Sequence, residues 1–342
     1  MRPLRKLEPG DAVAVLSPSF AIPAKYPHIH ELGLARLREL GLVPVEYPTT
    51  RKLGASKEER MKDLIDAFEN PEIKGIITTI GGDDQVTYAK LLPPGPFRKN
   101  PKPYFGFSDN THIMNFLWLN GIPSYYGGAL FTQFAMIGGI DSFTKEYLSR
   151  ALFEEGEREL LSSLFRNDVS VNWNDPDSVN GALAFEKDDG WYWDATADGE
   201  GITWGGCVES IDELLRHNVE IPTLENFKKI ILVLETSEEL PEASYIRRVI
   251  RALGERGYLE HVQGVLVGRA KAWEFGDQKS PEERATYRQA QRDVIASTVR
   301  AYNSAVPIVQ NLDFGHTNPQ MPLPYGKTVR ILSSEKRIFA DF

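Results

Sequence analysis

Ser108 stands where a side chain could do nucleophilic chemistry. In Tyr104-Phe105-Gly106-Phe107-Ser108-Asp109 an apolar run breaks at a Gly-x-Ser-Asp turn, and residues 110–120 then read as a helix. A serine on a sharp strand-to-helix turn projects its hydroxyl from the top of a sheet, and the backbone N–H groups that follow face any negative charge developing there. That arrangement suits acyl transfer if a base and an orienting acid come from elsewhere in the chain. The same residue types also make an ordinary helix N-cap, so the local spacing admits both readings.

Histidine is the usual base near neutral pH, and the chain has six. His28, His30, His217 and His261 lie in charged, helical surroundings expected of solvated surface. His112 follows Ser108 at the start of the same helix. His316 differs, because Asp313-Phe314-Gly315-His316-Thr317-Asn318-Pro319 is a loop directly after an apolar strand and runs on to Pro322, Pro324 and Gly326. Such a loop holds a side chain with little conformational freedom, which fits a base or simply a loop histidine. For the orienting acid, Glu235 closes the buried-looking strand Ile230-Ile231-Leu232-Val233-Leu234 and precedes Thr236-Ser237-Glu238-Glu239. A carboxylate there could hold one nitrogen of the imidazole, or could be the polar punctuation that ends most strands.

Donors for a developing oxyanion would be the N–H of Asp109, directly after the serine, and that of Gly82, whose missing side chain permits close approach. Gly81-Gly82-Asp83-Asp84 could instead be a plain tight turn or a phosphate loop. Its two aspartates and the lack of a Gly-x-x-x-x-Gly-Lys motif argue against phosphate, and no histidine stands at ligand spacing for a metal. A metal is therefore not favoured at Asp83 and Asp84.

The elements that must position these groups alternate. Residues 12–16, 43–47, 73–80, 104–107 and 122–126 read as strands, and 28–40, 110–120 and 142–155 as helices, with a capping box at Ser56-Lys57-Glu58-Glu59 before a further helix. Alternation of this kind implies a doubly wound parallel α/β sheet, flavodoxin- or Rossmann-like, with ligands bound beyond the carboxyl ends of its strands. Gly81-Gly82 and Ser108 both lie at strand ends. A smaller C-terminal α/β domain with a mixed sheet is expected from strands at 230–234, 264–268 and 308–314, helices at 243–256 and 281–303, and a final hairpin around Ser333-Ser334-Glu335-Lys336. The predicted boundaries are 1–165 for the domain carrying the serine, 166–205 for a linker with exposed strands, and 206–342 for the domain carrying the glutamate and histidine.

Composition is that of an ordinary globular protein, with 42% hydrophobic and 25% charged residues. A net charge of −9 argues against nucleic acid as a partner. The longest apolar runs fall short of the roughly 20 residues a membrane span needs, and the N-terminus lacks a signal-peptide core, so a cytoplasmic location is expected. The single cysteine, Cys207 in Trp204-Gly205-Gly206-Cys207, reads as a small buried residue.

Taken together, Ile80-Gly81-Gly82, Gly106-Phe107-Ser108-Asp109, Tyr126-Gly127-Gly128, Gly205-Gly206-Cys207, Leu234-Glu235-Thr236 and Phe314-Gly315-His316-Thr317 occur in an order and spacing that resembles the LD-carboxypeptidase family of serine peptidases. Within that family the chain looks like the microcin C self-immunity branch. Gly128 and Asn110 depart from residues frequent in relatives. The resemblance implies two domains, Ser108 as nucleophile, His316 as base, Glu235 as its orienter, and the N–H groups of Gly82 and Asp109 as the oxyanion hole. It also implies no cofactor and a homodimer. The substrate class it implies is a small peptide or aminoacyl-nucleotide: microcin C-like amides in the self-immunity branch, murein tetrapeptides in the carboxypeptidase branch. Trp191, Trp193 and Trp204 could stack on a nucleobase or pack the domain junction. A non-catalytic ligand-binding module is the alternative of another class.

Overall fold

Local signals in the chain become elements close to where they are written. The hydroxyl of Ser56 accepts from Glu59 N at 3.2 Å while the Glu59 carboxylate accepts from Ser56 N at 3.0 Å, and this reciprocal cap opens a helix at 57. Ser280 and Glu283 do the same, with Pro281 at the first helical position, and open the 20-residue helix Pro281–Arg300. The computed structural model covers residues 1–342. It has two units: 1–155 with 171–183 and 320–326, and 156–170 with 184–319 and 327–342.

In the first unit the strands are β1 (Ala12–Leu16), β2 (Val43–Glu46), β3 (Ile73–Thr78), β4 (Tyr104–Gly106) and β5 (Ser124–Tyr126). The helices are α1 (Pro27–Glu39), α2 (Lys57–Glu69), the short α3 (Val86–Ala89) and α4 (Pro94–Lys99), α5 (Thr111–Leu119) and α6 (Ser142–Phe153). β1 to β5 run parallel in the order β2-β1-β3-β4-β5, the flavodoxin-like order expected of a doubly wound sheet. A late strand from the far end of the chain, β14 (Leu323–Tyr325), closes this sheet antiparallel to β5. β1, β3, β4 and β5 are buried almost throughout, as strands covered on both faces must be.

The second unit is built on an eight-stranded mixed sheet. Its strands are β6 (Glu157–Leu160), β9 (Tyr192–Asp194), β10 (Gly199–Cys207), β11 (Ile230–Glu235), β12 (Gly264–Gly268), β13 (Ile308–Leu312), β15 (Thr328–Leu332) and β16 (Arg337–Asp341). β10, β11, β12 and β13 are parallel neighbours, flanked by antiparallel β15, β16 and β6 on one side and β9 on the other. The two-residue strands β7 (Phe165–Arg166) and β8 (Glu186–Lys187) form a separate ribbon. The helices are α7 (Val208–Arg216), the short α8 (Leu224–Phe227), α9 (Ala243–Glu255) and α10 (Pro281–Arg300).

The chain is divided differently from the predicted boundaries. Residues 156–165 belong to the second unit because β6 pairs with β16 at its sheet edge, and residues 320–326 return to the first because β14 pairs with β5. The segment 166–205 is no simple linker: 171–183 join the first unit, and β9 and β10 are sheet strands of the second. Asp168, which is buried, ties the segment down further. Its carboxylate accepts from Arg284 at 2.6 Å, Arg288 at 2.8 Å and Ala272 N at 3.0 Å. Polar, glycine-rich composition hid these anchors, because their partners lie about a hundred positions away.

Candidate active site

In the first unit β4 ends at Gly106, Phe107 remains extended at φ −155°, and Ser108 then turns sharply into a short 3₁₀ turn that runs into α5. Ser108 has φ +62°, a left-handed backbone that serine rarely adopts. A strained residue at the point where a strand becomes a helix is the geometry that lifts a nucleophilic hydroxyl clear of the sheet. The surroundings over-determine it. Ser108 N donates to the Tyr126 hydroxyl at 3.2 Å. Asn110 Oδ1 accepts from Tyr104 Oη at 2.6 Å and from Gln85 Nε2 at 3.1 Å, while its Nδ2 donates to the carbonyls of Phe107 and Ile80 at 3.0 and 3.3 Å.

The end of β3 approaches the same turn. A Cβ built on Gly81 would lie 2.9 Å from Ser108 Cβ, 3.1 Å from its Oγ and 3.3 Å from Asp109 N. Gly81-Gly82 and Ser108 therefore face one another at the carboxyl ends of adjacent strands, as expected of a parallel α/β sheet. Asp109 and His112 are buried, and the His112 Nε2 lies 3.3 Å from Asp109 Oδ1, whose other oxygen accepts from Gln85 N at 3.2 Å. His30, expected on solvated surface, is instead fully buried, with Nε2 2.8 Å from Glu46 Oε1 and its ring stacked on Phe131. It lies on the buried stripe of α1 with Ile29, Gly33, Leu34 and Leu37, which outweighed the charged neighbours that suggested exposure. Asp84 forms an ion pair with Arg60, so one of the two aspartates after Gly82 serves a structural contact.

In the second unit β11 is buried from end to end and finishes on Glu235. The side chain of Glu235 is fully buried, and its Oε2 lies 2.6 Å from His316 Nδ1. The loop after β13 brings the imidazole there. Gly315 has φ +97°, and a Cβ on it would come within 2.6 Å of that same glutamate oxygen, so only glycine lets the backbone pass. The loop is pinned on both flanks. Asp313 pairs with the buried Arg269 and accepts from Trp191 Nε1 at 2.9 Å, and Asn318 exchanges backbone hydrogen bonds with Asn167.

The other ring nitrogen of His316, Nε2, lies 3.0 Å from Oε2 of Glu238, on the turn just after β11. Burial alone would lower the pKa of this imidazole, but the two carboxylates outweigh it and raise it to about 10. Glu209, at the start of α7, is half-buried, accepts from Ser237 N at 3.1 Å and from its hydroxyl at 2.6 Å, and has its own pKa raised by desolvation.

The sequence marked Ser108, Glu235, His316, Gly82 and Asp109; the structure sets Ser108 and Asp109 against Gly81, the residue before Gly82, and brings Glu235 and His316 into direct contact. It missed Glu238, Asn110 and Tyr126. Glu238 carried a visible signal as an acid three positions beyond Glu235, and Tyr126 stood in the motif Tyr126-Gly127-Gly128 without being given a role. Of the tryptophans, Trp204 is 0% exposed in β10 and packs edge-on against Phe227 at 5.2 Å. That corrects the expectation of a stacking platform, because a residue in the middle of a central strand faces core. Trp191 is half-buried and braces Asp313, and Trp193 packs beside it at 6.4 Å.

The mixed α/β architecture, with a parallel core to the main sheet of each of two domains, matches that of MccF-like solved structures. The chain belongs to the LD-carboxypeptidase family, peptidase S66: the family's N-terminal domain matches residues 13–127 and its C-terminal domain residues 200–331. Among relatives, a protein named "Putative carboxypeptidase" from Treponema pallidum is 29% identical over 97% of this chain and 93% of its own length. The microcin C7 self-immunity protein MccF of Escherichia coli is 23% identical over 82% of this chain and 77% of its own. Among solved structures, an MccF-like protein from Bacillus anthracis superposes with a TM-score of 0.84 at 26% identity, covering 98% of each chain. These matches support the self-immunity-like branch within the family. No helix is long and apolar enough to cross a membrane.

Proposed function

We propose that the protein is a serine amidase of the LD-carboxypeptidase type, in which Ser108 is the nucleophile, His316 the base and Glu235 the group that orients it. The observation that carries this reading is the left-handed Ser108 at the end of β4, a conformation that costs about 1–3 kcal/mol and persists only where the surroundings enforce it. Ser108 attacks the scissile carbonyl and gives its proton to Nε2 of neutral His316. Glu235 holds Nδ1 and stabilises the imidazolium, and the N–H groups of Gly82 and Asp109 receive the oxyanion. His316 then protonates the leaving amine, and water hydrolyses the acyl-enzyme by the reverse proton path.

The preferred substrate is an aminoacyl-nucleotide amide of the microcin C kind. Support comes from the self-immunity relative and from an MccF structure described as a complex with aspartyl sulfamoyl adenosine. Trp193, half-buried on β9, is the aromatic left for a nucleobase. A second reading, removal of a C-terminal residue from a murein tetrapeptide, draws on the carboxypeptidase family description and on a Bacillus subtilis relative named "Probable murein peptide carboxypeptidase". A homodimer and a cytoplasmic location accompany both readings.

Purified protein offered both substrates in parallel, with a chelator present, separates them. Hydrolysis of one that falls by several powers of ten in a folded Ser108→Ala variant is the expected result. Undiminished hydrolysis in that variant refutes the assignment, and binding without turnover identifies a ligand-binding module instead.

A further inference from the structure

His316 is held at both ring nitrogens. Glu235 takes Nδ1 at 2.6 Å and Glu238 takes Nε2 at 3.0 Å. A carboxylate only accepts, so a ring bonded to carboxylates at both nitrogens carries both protons and is an imidazolium. A general base needs the Nε2 lone pair, and in this arrangement that lone pair carries a proton shared with Glu238.

The two carboxylates differ in freedom. The Glu235 side chain is fully buried at the end of β11, whereas that of Glu238 is 53% exposed. The backbone under Glu238 is fixed, because Ser237 is bonded through N and Oγ to Glu209 and its Oγ accepts from Glu239 N at 3.2 Å. Only the Glu238 side chain is therefore placed to swing. The charged and titratable groups around the pair are Glu235 at the end of β11, Glu238 on the turn, Cys207 at the end of β10, Glu209 on α7, and Lys271 after β12. Lys271 is itself bonded to Glu274 and Ser170.

We propose that Glu238 is a positioning residue that holds Nε2 of His316 in the resting protein, so that the base becomes available only when the Glu238 carboxylate withdraws. The proposal rests on His316 being the base of the reaction above. When Glu238 withdraws, the proton on Nε2 passes to solvent, His316 becomes neutral, and Nε2 can accept the hydroxyl proton of Ser108. The protonated ring's high pKa fits the two-carboxylate clamp.

The test uses the full-length protein. Nitrogen-15 NMR of the His316 ring, assigned with His316→Gln, follows its titration directly, and kcat/KM against pH follows the free enzyme's base. In Glu238→Gln the ring should titrate about 1–2 pH units lower than in the parent, since one opposing charge has been removed. The acid limb of kcat/KM should move down by the same amount, with the alkaline plateau changed only a few-fold, and Glu238→Asp should restore the parental limb. Unmoved ring titration in a folded Glu238→Gln overturns the proposal, as does a plateau that falls while the limb stays in place. Failure of the serine reading is recognised separately: hydrolysis then survives Ser108→Ala, whatever the ring titration shows.

Discussion

Gly81 and Ser108 are so close that a methyl group on the glycine would meet the serine's Cβ at 2.9 Å and its hydroxyl oxygen at 3.1 Å. The contact joins the ends of β3 and β4, and no flexible side chain lies between them to give way. Gly81→Ala must therefore push Ser108 from its place. The expected outcome is a kcat/KM at least about tenfold lower, since small misplacements of reacting groups cost that much or more, with far-UV circular dichroism unchanged. Parental kinetics in this variant would show that Ser108 has no fixed role.

Asn110 and Tyr126 hold the left-handed turn without being placed at the reacting bond. Asn110→Ala leaves the buried Tyr104 hydroxyl and Gln85 amide without their acceptor, at a cost of about 1–3 kcal/mol. The serine is then free to relax toward an ordinary helical φ. A labelling rate of Ser108 by an active-site-directed fluorophosphonate that falls with the melting temperature is expected; an unchanged rate contradicts the role given to Asn110.

Stability should depend on pH through His316. Its pKa is raised to about 10 in the folded protein against an ordinary 6.5, so the folded state binds the proton more tightly. The contribution is complete below about pH 6.5 and disappears as pH climbs toward 10. Urea unfolding of the parent and of His316→Gln should therefore differ most near pH 6 and converge near pH 10. A gap between them that is the same at both pH values would disprove the paired imidazolium.

Asp168 supports Arg284 and Arg288 at 2.6 and 2.8 Å, all three being buried. Asp168→Ala strands two guanidinium groups and should cost about 3–5 kcal/mol. Calorimetry provides the check, and a shift in melting temperature of only a degree would mean that other acids, Glu186 above all, suffice.

Trp204→Ala should likewise cost about 3–5 kcal/mol through the cavity it leaves beneath Phe227. Trp193→Ala should leave the melting temperature nearly unchanged and weaken a nucleotide-bearing substrate. Comparison of the two by thermal unfolding and KM separates core from surface aromatic.

Much of this was legible in the residues themselves. Capping boxes at Ser56 and Ser280, the apolar runs of β1, β3, β11 and β12, and the Gly-x-Ser-Asp break at Ser108 are local signals, written within a few positions of where they act. Glu235 and His316 could each be marked in the same way, as a strand-ending acid and a histidine in a Gly/Pro-rich loop. Their contact across 81 positions depended on β11, β12 and β13 lying side by side. Periodicity tells a residue to be buried but never names its partner. Only the tertiary structure could decide that 323–325 cross back to pair with β5, that His30 is core, that Trp204 faces inward while Trp191 braces Asp313, and that Glu238 reaches Nε2. Each of those outcomes is set by which distant element packs alongside, a relation that neighbouring residues do not encode.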